Sequence, residues 1–225
     1  MDYKTKIIDG VEVAYSADWI EGLEREDHFN WYYHQASLVY KYCDRSDHIL
    51  EIGVGSSLLS DLLRRRKWEI ATLDIDADKH PDICTSAVEF DYASITIDVV
   101  LAFEVFEHIP FVTFEQVVNR LGESKVKRIF FSLPWNEYRL VDFSLSMPII
   151  HDVKFRIPLS KNKITTHAHF WELAKRERNL DEKKLVTVES ISRLFDKGGY
   201  NLTPLNKVRN IQFFEANFSD AISDV

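Results

Sequence analysis

The chain has 225 residues, 45% of them hydrophobic, enough to bury one sizeable core with an added lid. A formal charge of −8 argues against a protein that grips nucleic acid through a general basic surface. No opening segment has the parts of a signal peptide and no run is apolar over a membrane-spanning length, so a soluble, cytoplasmic protein without a membrane partner is expected.

Residues 1–25 read as a short arm, with Lys6-Ile-Ile-Asp-Gly-Val-Glu-Val-Ala14 folding as a hairpin about Asp9-Gly10. From 27 to 43 the spacing predicts a helix whose aromatic face carries Trp31, Tyr32, His34, Leu38, Val39 and Tyr42. Packing on a sheet explains that face; so does a roof over a ligand pocket, with Trp31, Tyr32 and His34 on the substrate side. Residues 1–45 are therefore set apart as arm and lid, and 46–225 as the main domain. Cys43 and Cys84 are far apart, form no metal or redox spacing, and are expected as small buried fillers.

His48-Ile-Leu-Glu-Ile-Gly-Val-Gly-Ser-Ser57 is the stretch around which the rest is organised. Its apolar run predicts a strand buried on both faces. Gly53 and Gly55 let the backbone turn tightly and approach a ligand. Ser56 or Ser57 is then placed to cap a helix that buries Leu58, Leu59, Leu62 and Leu63. Trp68-Glu-Ile-Ala-Thr-Leu-Asp-Ile-Asp76 gives a second strand with Asp74 at its carboxyl end, where doubly wound sheets bind ligands and an acid meets ribose hydroxyls. A dinucleotide fingerprint needs a third glycine, but Leu58 stands there, and Glu51 would repel a pyrophosphate. A cationic ligand carrying a ribose suits Glu51 and Asp74 better.

A short third strand is expected within 82–87 and a fourth over 97–103, followed by Glu104-Val-Phe-Glu-His-Ile-Pro110. Thr113 with Gln116 reads as the capping box of a helix with Phe114, Val117, Val118 and Leu121 inward, ended by Gly122. A fifth strand over 128–133 closes on Pro134-Trp135. From 136 to 185 the alternation lapses, which predicts an inserted segment with structure of its own. Its Lys154, Arg156, Lys161 and Lys163 suit either a solvated face or a lid meeting an anionic substrate group. His167 and His169 would face one way on a strand. With His151 they lack an acid at partner spacing, so no metal is expected; with Trp135 they line the substrate side instead. Thr187 caps a last helix with Ile191, Leu194 and Phe195 inward, stopped by Gly198-Gly199. Strands over 200–204 and 211–218 follow, joined by a polar turn with Asn206, Lys207 and Asn210.

Glu51-Ile-Gly53-Val-Gly55, Thr72-Leu-Asp74-Ile and Asp98-Val-Val-Leu-Ala-Phe-Glu-Val-Phe-Glu-His-Ile-Pro110 together resemble three successive motifs of the class I S-adenosylmethionine-dependent methyltransferases. The resemblance runs from the middle forties to the C-terminus. It implies an α/β, Rossmann-like three-layer sandwich whose seven-stranded, mostly parallel sheet ends in an antiparallel hairpin. It implies S-adenosyl-L-methionine as cofactor, its methionine part at Glu51, Gly53 and Gly55 and its ribose at Asp74 and Ile75. Thr85 and Ser86 stand where the family has an adenine-binding acid. Phe103 and Glu104 should lie closest to the cofactor, and His108, beside Glu107, is the candidate general base.

The base-methylating signature Asn/Asp-Pro-Pro-aromatic is absent from 104–110, which together with the acidic charge favours a small-molecule substrate over nucleic acid. A catalytically silent binding domain, and an NAD-dependent oxidoreductase opposed by Leu58 and Glu51, are the alternatives.

Overall fold

Short apolar runs bounded by turns set the middle of the molecule, and the computed structural model describes residues 6–8, 11–13, 26–147, 150–161 and 163–219. In chain order these form β1 (Lys6–Ile8), β2 (Val11–Val13), α1 (Glu26–Tyr42), β3 (His48–Ile52), α2 (Leu58–Arg65), β4 (Glu69–Asp74), β5 (Ile83–Cys84) and β6 (Val99–Phe103). A 3-10 turn, Phe106–His108, then leads into α3 (Phe111–Glu123) and β7 (Arg128–Pro134). Next come β8 (Glu137–Met147), β9 (Ile150–Ser160), β10 (Trp171–Leu173), β11 (Arg178–Leu180) and β12 (Lys183–Val186). The chain closes with α4 (Val188–Lys197), β13 (Tyr200–Val208) and β14 (Ile211–Phe218).

The central sheet has seven strands in the order β13-β14-β7-β6-β3-β4-β5. β3 pairs parallel with β4 and β6, β6 with β7, and β4 with β5, whereas β14 is antiparallel to both β7 and β13. The strand order reverses between β3 and β6, so a crevice opens at their carboxyl ends. α3 and α4 cover one face, where Phe114, Val117, Val118, Leu121, Ile191, Leu194 and Phe195 meet Leu50, Val100, Ile129 and Phe131. α1 and α2 cover the other, where Ala36, Val39, Leu59 and Leu63 meet Ile49, Val99, Leu101 and Phe130. Alternate residues of β3 and β6 serve opposite cores, as the two-residue period of a strand requires. The result is the three-layer α/β architecture expected from the sequence.

α1 thus forms part of a layer, with Ala36 and Val39 buried in the core. β1 pairs antiparallel with β2, and Asp9 and Gly10, where the turn is expected, lie outside the described residues. The 136–185 segment does carry structure of its own: β8 pairs with β9 as a long hairpin, and β10, β12 and β11 form a small sheet in that order. The side chains of His151, Lys154 and Arg156 lie outside the described ones.

Local details differ where a tertiary contact outweighs a local signal. Pro110, not Thr113, stands at the start of α3, so no capping box forms. Ser57 precedes α2 in the left-handed region and makes no side-chain cap. Leu62 points outward, Cys84 is exposed and Cys43 only partly buried. β13 runs on to Val208, so Asn206 and Lys207 belong to a strand rather than a turn. Thr187 caps α4 as expected, its hydroxyl accepting the Ser190 N–H. Gly122 does not end α3; it lets α3 and α4 touch, because a Cβ there would lie 2.1 Å from the Gly198 carbonyl oxygen. Gly122→Ala is expected to lower stability by about 1–3 kcal/mol through overpacking, measured by urea unfolding. A loss below about 0.5 kcal/mol would mean that the two helices part freely.

Candidate functional site

The corner where β3 ends is built by backbone and carboxylate together. The Gly53 N–H donates to the Leu73 carbonyl at 2.8 Å, extending the β3–β4 pairing by one residue. One Asp74 oxygen accepts the Val54 N–H at 3.0 Å and the other accepts the Asp76 N–H at 2.9 Å. Asp74 thereby fixes the glycine turn and joins the ends of β3 and β4. Lys79 lies across the same carboxylate, its Nζ 3.1 and 3.3 Å from the two oxygens. Both side chains of this pair are almost fully buried.

The two glycines do different work. Gly53 has φ +78°, and a Cβ there would meet a methyl of Val105 at 2.4 Å, so its close approach is to the protein's own chain. Gly55 has φ +57° and open space where its Cβ would be, which is what a ligand cradle requires. Glu51 is buried on the α2 side, and burial pushes its carboxyl up to about 8 while the Ser60 hydroxyl opposes the shift. Its Oε2 has no hydrogen-bond partner among the described residues. A buried acceptor left unpaired is costly, so a cationic or donor group arriving there would be well received.

The remaining sequence-predicted residues divide into two sets. Tyr32 reaches the glycine turn, its hydroxyl 3.0 Å from Ser56 Oγ. Trp31 instead packs on His28 at 4.7 Å, and His34 leans on Phe213 at 6.2 Å. Thr85 donates its N–H to the Asp74 carbonyl at 3.1 Å, next to the corner. Ser86 Oγ accepts the Val88 N–H at 3.3 Å, which engages it in a local turn. Ile75 is half-buried, and Phe103, also half-buried, packs against Phe213 at 5.8 Å.

A second constellation lies where β6 ends. Glu104 sits in the left-handed region at φ +55°, a costly place for a residue with a Cβ. Ser132 holds it there: its hydroxyl accepts the Glu104 N–H at 3.1 Å and donates to Glu104 Oε1 at 2.8 Å. Burial and the nearby Glu172 carboxylate push the Glu104 carboxyl up to about 8. Glu107 is fully buried, and neither of its carboxylate oxygens has a hydrogen-bond partner within 3.5 Å among the described residues. Burial first, then Glu104 and Glu172, raise its carboxyl well above the usual range.

The inserted segment is stitched onto this loop. His108 Nδ1 lies 3.1 Å from the Ala168 carbonyl, the Phe170 N–H donates to the Glu107 carbonyl at 2.9 Å, and Trp171 Nε1 donates to the Ile109 carbonyl at 3.1 Å. Lys183, on β12, donates to the carbonyls of Thr166 and His167 and so holds the same turn from behind. His169 is thereby brought 4.9 Å from His108, ring to ring, and its Nδ1 lies 2.8 Å from Glu172 Oε1. The Asn136 side-chain amide donates to the other Glu172 oxygen at 2.6 Å.

His167 does not join this group. It lies exposed on a turn rather than a strand, so the expectation that it faces the same way as His169 fails. Trp135 is half-buried under the Lys207 ammonium, 4.7 Å above its ring. Burial and the neighbouring His169 hold His108 well below its ordinary value, so it stays neutral and accepts a proton poorly at neutral pH. A general base works best with a pKa near the working pH, so this depression opposes the role expected of His108. Glu107, Glu172 and Asn136 were not singled out as a group by sequence reasoning. The available signal was the three-residue step from His169 to Glu172.

The profile of the methyltransferase domain family matches residues 32–205. No curated protein matches the chain in sequence. Among solved structures, the glycopeptide N-methyltransferase MtfA complexed with S-adenosyl-L-homocysteine is similar with a TM-score of 0.53 at 11% identity, over 82% of this chain and 88% of that one. Magnesium protoporphyrin IX methyltransferase (ChlM) from Synechocystis PCC 6803 with bound S-adenosylmethionine gives 0.55 at 11% identity, over 91% and 86%. The methyltransferase domain of bacterial CtHen1 gives 0.55 at 14% identity, over 86% of this chain and all of that one (100%). At such identities the likeness is one of fold.

Proposed function

Since the chain belongs to the methyltransferase domain family and is an S-adenosylmethionine-dependent enzyme, we propose that it methylates a small polar molecule that carries an anionic group. When bound, S-adenosylmethionine supplies the electrophilic methyl group. The residues present fit that cofactor. Glu51 offers an unpaired buried oxygen, Gly55 leaves room beside the backbone, and Asp74 stands at the end of β4. The observation that carries the reading is the Asp74–Val54 bond, which ties the two acid-bearing strands into one corner. For a ribose to donate to Asp74, Lys79 has to yield at least one of the two oxygens it now covers.

On the substrate side, the protein's contribution is to orient and to exclude water. The segment carrying His169 and Trp171 closes over the loop after β6, and Lys161, lying over the Tyr138 ring, with exposed Lys163 supplies the positive charge that suits an anionic group. Nearby structures named for glycopeptide and porphyrin substrates are compatible with a non-nucleic-acid acceptor. A cytoplasmic setting goes with the two cysteines, both free. Among the described residues no helix is long and apolar enough to cross a membrane.

The test is transfer of label from methyl-labelled S-adenosylmethionine into a cell extract separated by size. Label in the small-molecule fraction supports the proposal, and label confined to nucleic acid or protein overturns it.

Glu51 gives a further expectation. With its carboxyl near 8, it is protonated in the free protein at pH 7, and a cation arriving beside it favours the ionised form. Binding of S-adenosylhomocysteine at pH 7 should therefore release up to about one proton. Calorimetry in two buffers of different ionisation enthalpy measures this. The release should vanish in Glu51→Gln, and an unchanged release would remove Glu51 from the cofactor corner.

A further inference from the structure

We propose that Glu107, His108 and His169 bind a first-row divalent metal ion on the substrate side of the cofactor corner, with Glu172 and the Ala168 carbonyl orienting the two imidazoles. Each of the three side chains offers a ligand atom, and these atoms all lie within 4.8 Å of one another. Metal–nitrogen and metal–oxygen bonds near 2.1 Å put the ligands of one ion roughly 3–4 Å apart, so only a small closure is needed. His108 Nε2 already lies 3.9 Å from Glu107 Oε1.

The surroundings match what ligating histidines require. A metal-bound imidazole directs its other ring nitrogen to a carboxylate or backbone carbonyl, which fixes its tautomer and ring plane. His169 Nδ1 does so with Glu172, itself held by Asn136, and His108 Nδ1 does so with Ala168. Glu107 supplies the second, independent observation. Its carboxyl is fully buried, and neither oxygen has a hydrogen-bond partner among the described residues. Protonation alone does not satisfy it, because the resulting O–H would face His108 Nε2 at 3.9 Å, too far for a hydrogen bond. A cation satisfies both oxygens at once.

Two imidazoles and one carboxylate leave coordination positions open. Resting on the methyltransferase reading above, those positions would take a hydroxyl of the substrate and lower its pKa. In the transfer the O–CH3 bond forms as the CH3–S bond breaks, the hydroxyl proton goes to water, and S-adenosylhomocysteine leaves neutral at sulfur. The acceptor atom is then oxygen. This proposal replaces the metal-free expectation drawn from sequence.

Mn2+ titrated into the full-length, EDTA-treated chain and followed by electron paramagnetic resonance tests the site directly. The expected result is one saturable site per chain whose bound Mn2+ shows histidine nitrogen coupling. Glu107→Gln and His169→Ala should each weaken binding at least about tenfold, and Glu172→Gln roughly 10–100-fold, with circular dichroism unchanged. No saturable binding by the unmodified chain, or bound Mn2+ without nitrogen coupling, overturns the proposal whatever the variants do. Calorimetry with S-adenosylhomocysteine in EDTA separates the two readings. Cofactor binding without Mn2+ binding defeats the metal site alone, and Mn2+ binding without cofactor binding defeats the methyltransferase reading alone. Label transfer should stop in EDTA and return with Mn2+; transfer that persists in EDTA removes the metal from the reaction.

Discussion

Trp171→Ala is expected to lower stability by about 3–5 kcal/mol, the range for emptying a large aromatic site in a core. The side chain is wholly buried, stacked on Phe114 at 5.1 Å and edge-on to Phe111 at 5.3 Å. Its indole N–H holds the Ile109 carbonyl, which alanine would leave without that donor. Two losses therefore add, a cavity between β10 and α3 and an unpaired buried acceptor. Guanidinium unfolding measures the sum. Trp171→Phe keeps much of the packing and loses only the hydrogen bond, so its cost should be clearly smaller. Equal costs for the two variants would mean that the indole N–H, not the volume, dominates.

Asp74→Ala is expected to cost about 3–5 kcal/mol as well, for an electrostatic reason. Lys79 and Asp74 are both nearly buried, and removing the carboxylate strands an ammonium in a poorly solvated corner. The Val54 and Asp76 N–H groups lose their acceptor at the same time. Affinity for S-adenosylhomocysteine should fall by roughly tenfold or more, since a good hydrogen bond to a charged group contributes about 1.5–3 kcal/mol. Differential scanning calorimetry reads the first effect and titration calorimetry on protein shown to be folded reads the second. Full stability in Asp74→Ala would mean that Lys79 finds water on losing its partner. Unchanged affinity would remove Asp74 from the ribose side.

These two residues also show how far the sequence could be read. Asp74 was legible, because its role follows from local facts: an apolar run, its carboxyl end, and a separation of 20 residues from the glycine-turn residue it binds. The strands β3, β6 and β7 and the inward faces of α3 and α4 were legible for the same reason, since periodicity is a local signal. Trp171 and its surroundings were not. The contacts that place His169 beside His108 cross some 60 positions of chain, and no spacing rule spans an insertion with its own hairpin and small sheet. Gly122 shows the same limit in miniature. Its sequence context reads as a helix stop, and only the position of α4 shows that it is a contact point. The Thr113–Gln116 pair gave a valid capping pattern that went unused because Pro110 starts the helix earlier.

The place of β14 bears on how the protein is made. It is synthesised after both β7 and β13, yet it lies between them with Phe213 and Phe214 buried. Until residue 218 clears the exit tunnel, β7 presents an unzipped hydrophobic seam, and β13 has no neighbour to align with. Nascent chains are therefore open along that edge until β14 has emerged, a window in which a chaperone or a second nascent chain can bind before the sheet seals.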